Sequence, residues 1–238
     1  MVEMNKQKSI LITGGTRGIG KAISLLFLQK GYRVYATYKS DETAAKELQT
    51  LGVQTFKTDV SNEQQVVDLF RQIGDVDVLV NNAGVSLIKQ IQDVSYDEFQ
   101  QVISTNLGGA FLCSREAAKS MISSQYGVIV NISSVWGEVG GSCESVYSAT
   151  KAALIGFTKA LAKEVGYSGI RVNCISPGVI DTAMNNRLSK EELSSLQEEI
   201  PLGRMGLGKD VAQAVLYLAD ATYVTGVDLP VNGGFSIV

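Results

Sequence analysis

Tyr147 and Lys151 stand four residues apart in Ser145–Val165, a stretch whose apolar spacing predicts a long helix, so their side chains share one face. A free tyrosine phenol titrates near ~10, too high for ready proton exchange at neutrality. An ammonium beside it favours the phenolate, so Lys151 is expected to lower that value. Such a tyrosine can give its proton to a carbonyl oxygen as a hydride reaches the carbon. Ser134, thirteen residues upstream of Tyr147 at the end of a predicted strand, can hydrogen-bond the same oxygen as charge develops there. In isolation, Tyr147 and Lys151 would also fit an ordinary pair on a helix surface. The chain has no histidine. That removes Ser-His-Asp and Cys-His chemistry and histidine metal sites, and no metal centre is expected.

A second group of residues could hold a phosphate. Thr13–Gly20 reads TGGTRGIG, between a predicted strand and a predicted helix. Gly14, Gly18 and Gly20 would let backbone N–H groups and the helix N-terminus approach a diphosphate closely. A plain glycine turn is the alternative reading, and the strand–turn–helix context favours the phosphate site.

The elements that must position these residues alternate along the chain. Strands are predicted at Ser9–Thr13, Arg33–Thr37, Gln54–Lys57, Val76–Asn81, Val128–Ser133, Arg171–Ser176 and Gly226–Val231. Helices are predicted at Gly18–Lys30, Asp41–Leu51, Glu63–Ile73, Tyr96–Ser123 and Ser145–Val165. Asn106, a poor helix former, falls inside the fourth of these, which fits either a local functional role or a kink. Alternating strands and helices imply an α/β fold of right-handed crossovers. The expected architecture is a doubly wound parallel sheet of seven strands in the order 3-2-1-4-5-6-7, a Rossmann fold filling residues 1–238 as one domain. A long irregular stretch, about 179–209, follows the sixth strand and contains a predicted short helix at Lys190–Glu199. It lies where open α/β sheets bind ligands and reads as a substrate lid, the alternative being a passive loop.

Composition narrows the function classes. The 238 residues are 45% hydrophobic and 19% charged, with net charge -3, and carry no basic stripe for nucleic acid. No run approaches the ~18 apolar residues of a membrane span, and the short apolar run after the polar N-terminus is no signal-peptide core. Cys113, Cys143 and Cys174 are odd in number and widely spaced, so they read as reduced, core-filling thiols of a cytoplasmic protein.

Together these motifs resemble the short-chain dehydrogenase/reductase family. The resemblance rests on the TGxxxGxG pattern at Thr13–Gly20, NNAG at Asn81–Gly84, Asn106, Ser134, Tyr147-x-x-x-Lys151 and Pro177–Gly178, and it covers essentially the whole chain. The subgroup most resembled is the 3-oxoacyl-[acyl-carrier-protein] reductases, whose ending is matched by Thr225–Gly226 and VNGG at Val231–Gly234, with Asn232 where aspartate is usual. The resemblance implies that Asn106, Ser134, Tyr147 and Lys151 are catalytic. Lys151 would also hold the nicotinamide ribose, and Asn106 would anchor a water relaying protons to Lys151. Gly14, Thr16, Arg17, Gly18, Ile19 and Gly20 would surround the diphosphate. Asp59 and Val60 would meet the adenine. Asn81, Ala83 and Gly84 would line the cofactor from the fourth strand, and Pro177, Gly178, Ile180 and Thr182 would hold the nicotinamide end.

An acid at the end of the second strand would bind the 2′-hydroxyl of NAD. Here that position holds Tyr38, followed by Lys39, and Arg17 and Lys39 resemble the residues that meet a 2′-phosphate. The implied cofactor is NADP(H), although Asp41 is close by.

The resemblance implies reduction of a ketone to a secondary alcohol, with a 3-oxoacyl thioester on acyl carrier protein as the first substrate expected. Acyl carrier protein is acidic, and the subgroup docks it with basic residues before the fifth and sixth strands, near the active-site mouth. Here those stretches are Ser123–Gln125 and Tyr167–Gly169, which are uncharged. Arg187, Lys190, Arg204 and Lys209 on the lid are the alternative cations. Ser133–Glu144 resembles instead a subgroup that reduces a 5-aminopentanone group on elongation factor P; Trp136 and Glu144 flank the expected pocket, where the acid could pair with a substrate amine. A catalytically silent nucleotide-binding regulator is the competing class, against which the intact catalytic set speaks. A homotetramer is expected, from the resemblance and from the apolar side chains Phe111, Leu154, Ile155, Phe157 and Leu161 on the two long helices.

Overall fold

The computed structural model describes residues 7–182 and 190–237. Its strands are β1 Ser9–Ile12, β2 Arg33–Tyr38, β3 Gln54–Lys57, β4 Val78–Asn81, β5 Gly127–Ile132, β6 Ile170–Pro177 and β7 Asp228–Val231. They form one 7-stranded sheet in the order β3-β2-β1-β4-β5-β6-β7, and each neighbouring pair is parallel. This is the expected order. β1, β4 and β5 are buried at every residue because helices cover both faces.

Successive strand residues serve opposite faces. Ile10, Ile12, Val78 and Val80 pack with Ile23 and Phe27 of α1 (Gly18–Gln29) and Val211, Val215 and Leu218 of α9 (Gly208–Asp220). Leu11, Leu79, Ile129 and Val172 face the other way. They meet Val66 and Leu69 of α3 (Glu63–Ile73), Cys113 and Ala117 of α5 (Gly109–Ser124), and Val165 of α7 (Ser145–Val165).

Four expectations need correction. The single helix expected over Tyr96–Ser123 is instead α4 (Tyr96–Ile103), one π-helical turn at Ser104–Gly108, and α5. The break falls at Asn106, whose side chain is committed to bonds outside the helix. α9 and the short α6 (Val135–Val139) were not anticipated, although Val211, Ala212, Val215, Leu218 and Ala219 have helical spacing. Cys143 is exposed, unlike the buried Cys113 and Cys174, because it lies in the turn just before α7 and not in a strand or helix. Leu154 is fully buried beneath α7, so it cannot supply oligomer surface. α8 (Lys190–Glu198) lies within the expected lid, and Arg187 falls outside the described residues.

Candidate active site

Parallel strands deliver all their C-terminal ends to one edge, and the candidate residues collect there. Ser134 follows β5, while Tyr147 and Lys151 lie on the first turns of α7. Tyr147 and Ser134 are each 8% exposed, Lys151 4% and Asn106 1%. Lys151 Nζ donates to Ile132 O at 2.8 Å and lies 5.5 Å from the centroid of the Tyr147 ring. Ser133 Oγ donates to Lys151 O at 2.7 Å, fastening α7 to the end of β5. A Cβ on Gly84 would stand 3.3 Å from Asn106 Oδ1 and 3.5 Å from Lys151 Nζ, so the loop after β4 brings these two groups together.

Asn106 is held from both sides. Its Oδ1 accepts from Val85 N at 2.8 Å, and its Nδ2 donates to Val85 O at 2.9 Å and to Thr150 Oγ1 at 3.1 Å. Thr150 in turn donates to Tyr147 O at 2.7 Å. Ser133, Thr150 and the Val85 backbone are therefore supports that the motifs did not reveal. Their signal is tertiary contact, not sequence pattern.

The protonation states differ from the expectation. Burial is the largest influence on Tyr147 and pushes its phenol up to about 12; a hydrogen bond from Ser134 pulls it back, and the Glu144 carboxylate raises it further. Proximity to Lys151 does not outweigh that burial. Burial drives the Lys151 ammonium itself down to about 8, since the same loss of water that penalises a phenolate penalises an ammonium. No described acid forms an ion pair with Lys151. At neutral pH the site therefore holds a protonated phenol beside a largely charged lysine.

The glycine turn has the expected shape. Gly18 has φ +50, and a Cβ on Gly20 would lie 2.3 Å from Gly14 O, so neither position admits a side chain without distortion. The N-terminus of α1 has no side-chain cap and no acid in its first turn, leaving its amides for an anion. Thr13 Oγ1 accepts from Asn82 N and Ala83 N at 2.9 and 3.0 Å, joining the turn to the NNAG loop. Thr182 reaches the turn from the loop after β6, its Cγ2 standing 3.4 Å from where a Gly18 Cβ would be. Gly178 backs onto Asn232, and the buried Ile180 forms a bridge with Gly206. Thr16 is buried in the turn, whereas the exposed Arg17 stands at its rim with Lys39 beyond β2.

Not every expected contact is direct. Asn81 points into the core, where its Nδ2 donates to Ser114 Oγ and Asn131 Oδ1 at 2.9 and 2.8 Å. Val60 packs its side chain on Gly109 of α5, so only its backbone can meet a ligand. Asp59 is engaged by Lys39 at 2.6 Å.

The surroundings of the pocket bear on substrate. Trp136 and Phe235 meet edge to face at 5.6 Å, a contact unforeseen because the two are distant in sequence. Gly141 separates Trp136 from Glu144, with its virtual Cβ 3.1 Å from the indole and 3.4 Å from Glu144 Cβ. Burial raises the Glu144 carboxyl, and no described cation pairs with it. The uncharged stretches Ser123–Gln125 and Tyr167–Gly169 are not at this mouth. They precede β5 and β6, so they lie at the opposite edge of the sheet from Ser134.

A family model described as enoyl-(acyl carrier protein) reductase matches residues 14–236. The chain is 38% identical over 243 residues to the 3-oxoacyl-[acyl-carrier-protein] reductase of Staphylococcus aureus, covering 97% of this chain and 99% of that one. Against the enzyme of the same name from Chlamydia trachomatis, identity is 39% over 241 residues, covering 96% and 97%. The crystal structure of a 3-oxoacyl-[acyl-carrier protein] reductase from Brucella melitensis aligns with a TM-score of 0.92 at 33% identity, covering 98% of this chain and 92% of that chain. The chain belongs to the short-chain dehydrogenase/reductase family and, with its 3-oxoacyl-[acyl-carrier-protein] reductase relatives, is an oxidoreductase of the CH–OH/C=O pair.

Proposed function

We propose that this chain reduces a ketone to a secondary alcohol with NADPH, and that its preferred substrate is a 3-oxoacyl thioester on acyl carrier protein. The observation that carries the reaction is the buried Tyr147 beside the Ser134 hydroxyl, with Lys151 Nζ 5.5 Å from the Tyr147 ring centroid. The uncapped α1 N-terminus and the bare glycine turn fit a diphosphate, and the Lys151 ammonium, which no described acid neutralises, fits ribose hydroxyls. Thr16, Gly18, Ile19 and Gly20 would hold the diphosphate; Arg17 and Lys39 the 2′-phosphate; Asp59 and the Val60 backbone the adenine. Gly84, Ala83, Pro177, Gly178, Ile180 and Thr182 would enclose the nicotinamide end, with Asn81 bracing β4 beneath. NADPH, when bound, supplies the hydride.

The protein's own groups do the rest. Tyr147 gives its proton to the carbonyl oxygen, because a phenol held at about 12 is fully protonated near neutrality and loses that proton only to a developing alkoxide. Ser134 donates a hydrogen bond to the same oxygen. Lys151 stabilises the phenolate left behind, and Asn106 holds the loop after β4 against it. The relatives' shared 3-oxoacyl substrate supports the thioester. Incubating the protein and NADPH with an acetoacetyl thioester tests this reading: NADPH consumption with formation of the 3-hydroxy product supports it, and inertness towards every thioester offered overturns it.

A second reading is favoured by Glu144. A half-buried carboxylate with no cation on it among the described residues, near Trp136, suits a ketone that carries an amine, such as the 5-aminopentanone group on elongation factor P. It predicts faster turnover of amine-bearing ketones than of neutral ones, and loss of that preference in Glu144→Gln. A silent regulator remains the opposing class, which any catalytic turnover dismisses. The proposed setting is the cytoplasm; no helix among the described residues is long and apolar enough to cross a membrane.

A further inference from the structure

Four charged side chains meet at one corner of the sheet's C-terminal edge, beyond β1, β2 and β3. Arg17 NH1 lies 3.6 Å from Asp41 Oδ2, and Lys39 Nζ lies 2.6 Å from Asp59 Oδ2. The members of each pair are not equally free. Both cations are on long, exposed stems, at 66% and 63%, whereas the acids are 33% and 25% exposed. Each acid is also pinned through its other oxygen. Asp41 Oδ1 accepts from Ala44 N at 3.0 Å and so caps α2 (Glu42–Thr50). Asp59 Oδ1 accepts from Ser61 N and Ser61 Oγ at 3.1 and 2.7 Å. The carboxylates are fixed and the cations can swing.

We infer that Asp41 is a specificity-determining residue that weakens this corner's hold on a ribose 2′-phosphate by competing with it for Arg17. The inference rests on the NADPH reading. An arriving dianion must draw Arg17 from an anchored carboxylate that cannot retreat, and then remain near that carboxylate's own charge. A ribose 2′-hydroxyl meets neither obstacle. The quartet has two positive and two negative groups, so discrimination between the two nucleotide types is smaller than two cations alone would give. Asp59 opposes Lys39 in the same way, but it is also assigned to the adenine, so Asp41 is the cleaner probe.

Asparagine caps helices as well as aspartate does, so Asp41→Asn removes the charge and keeps α2 capped. The test is calorimetric titration of the full chain with adenosine 2′,5′-bisphosphate and, separately, with AMP. Asp41→Asn should bind the bisphosphate about two- to fivefold more tightly than wild type, the scale of an exposed ion pair, and bind AMP unchanged. Asp41→Ser, which also caps, should behave alike. A wild type that prefers the bisphosphate, together with variants that bind it no tighter, overturns the inference alone. Equal tightening of AMP also overturns it, since the effect would then not involve the 2′-phosphate. Equal wild-type affinity for both probes overturns the NADPH reading and this inference with it.

Discussion

At the residue scale, the chemistry of Tyr147 and Lys151 was legible in their spacing, but their protonation was not. Four residues on a helix place the side chains together whatever surrounds them. How far each titrates depends on burial, which the spacing does not encode. The structure puts Lys151 at about 8. Its charged form stabilises the phenolate, so the reduction rate should be flat below that pH and fall as pH rises through about 8. A pH–rate profile checks this, and a limb lying only near 10 would count against it. The same burial makes Lys151 a cost to folding. The folded-state value lies below the ordinary 10.5, so the unfolded chain binds the extra proton between the two values and stability rises with pH there. Lys151→Met should therefore unfold at a higher temperature than wild type at neutral pH, with the gain shrinking above about pH 8. Equal melting temperatures at pH 7 would contradict it. At the other end of the proposed cofactor, Lys39→Ala should weaken binding of NADPH about ten- to a hundredfold and leave NADH nearly untouched, the range for one charge-assisted contact. Equal effects on the two would remove Lys39 from the 2′-phosphate.

At the element scale, the strands were readable because β-branched apolar runs fully buried on both faces have few other fates. The break between α4 and α5 was not. Asn106 looked odd in a helix, yet its reason lies in Val85, twenty-one residues away in sequence, whose backbone it satisfies in both directions. α9 has helical spacing in Val211, Val215 and Leu218, but its first turn begins at the end of the glycine-rich run Gly203–Gly208, which breaks the local pattern at its start. The π-helical turn gives a prediction. Asn106→Leu leaves the Val85 N–H and C=O without partners, so chemical denaturation should show a stability loss of roughly 1–3 kcal/mol per group left unpaired. A variant as stable as wild type would mean that the loop after β4 is satisfied some other way.

At the scale of the whole molecule, the parallel, doubly wound sheet followed from alternation and right-handed crossovers, while the particular strand order needed the family resemblance. What lies outside the sheet was harder to read. The apolar residues expected to make an oligomer surface divide: Leu154 belongs to the core, while Phe111 is 47% exposed and Tyr96 and Phe99 stack on the adjoining α4 at 70% and 38%. This surface supports the proposed homotetramer, and light scattering at micromolar concentration should give four times the chain mass; a stable monomer would defeat it. The carrier-docking stretches look out of place for the same reason, since within one chain they sit at the far edge of the sheet from Ser134. The central claim, that Tyr147 protonates a ketone oxygen, needs one comparison. Wild type and Tyr147→Phe are given NADPH and a panel of ketones, free, thioester-linked and amine-bearing, and the alcohol formed is measured alongside NADPH binding. Wild type should turn over at least one ketone, and the variant should lose about 10³-fold or more of that rate with NADPH still bound. A variant that keeps a tenth of the wild-type rate would show that some other group delivers the proton.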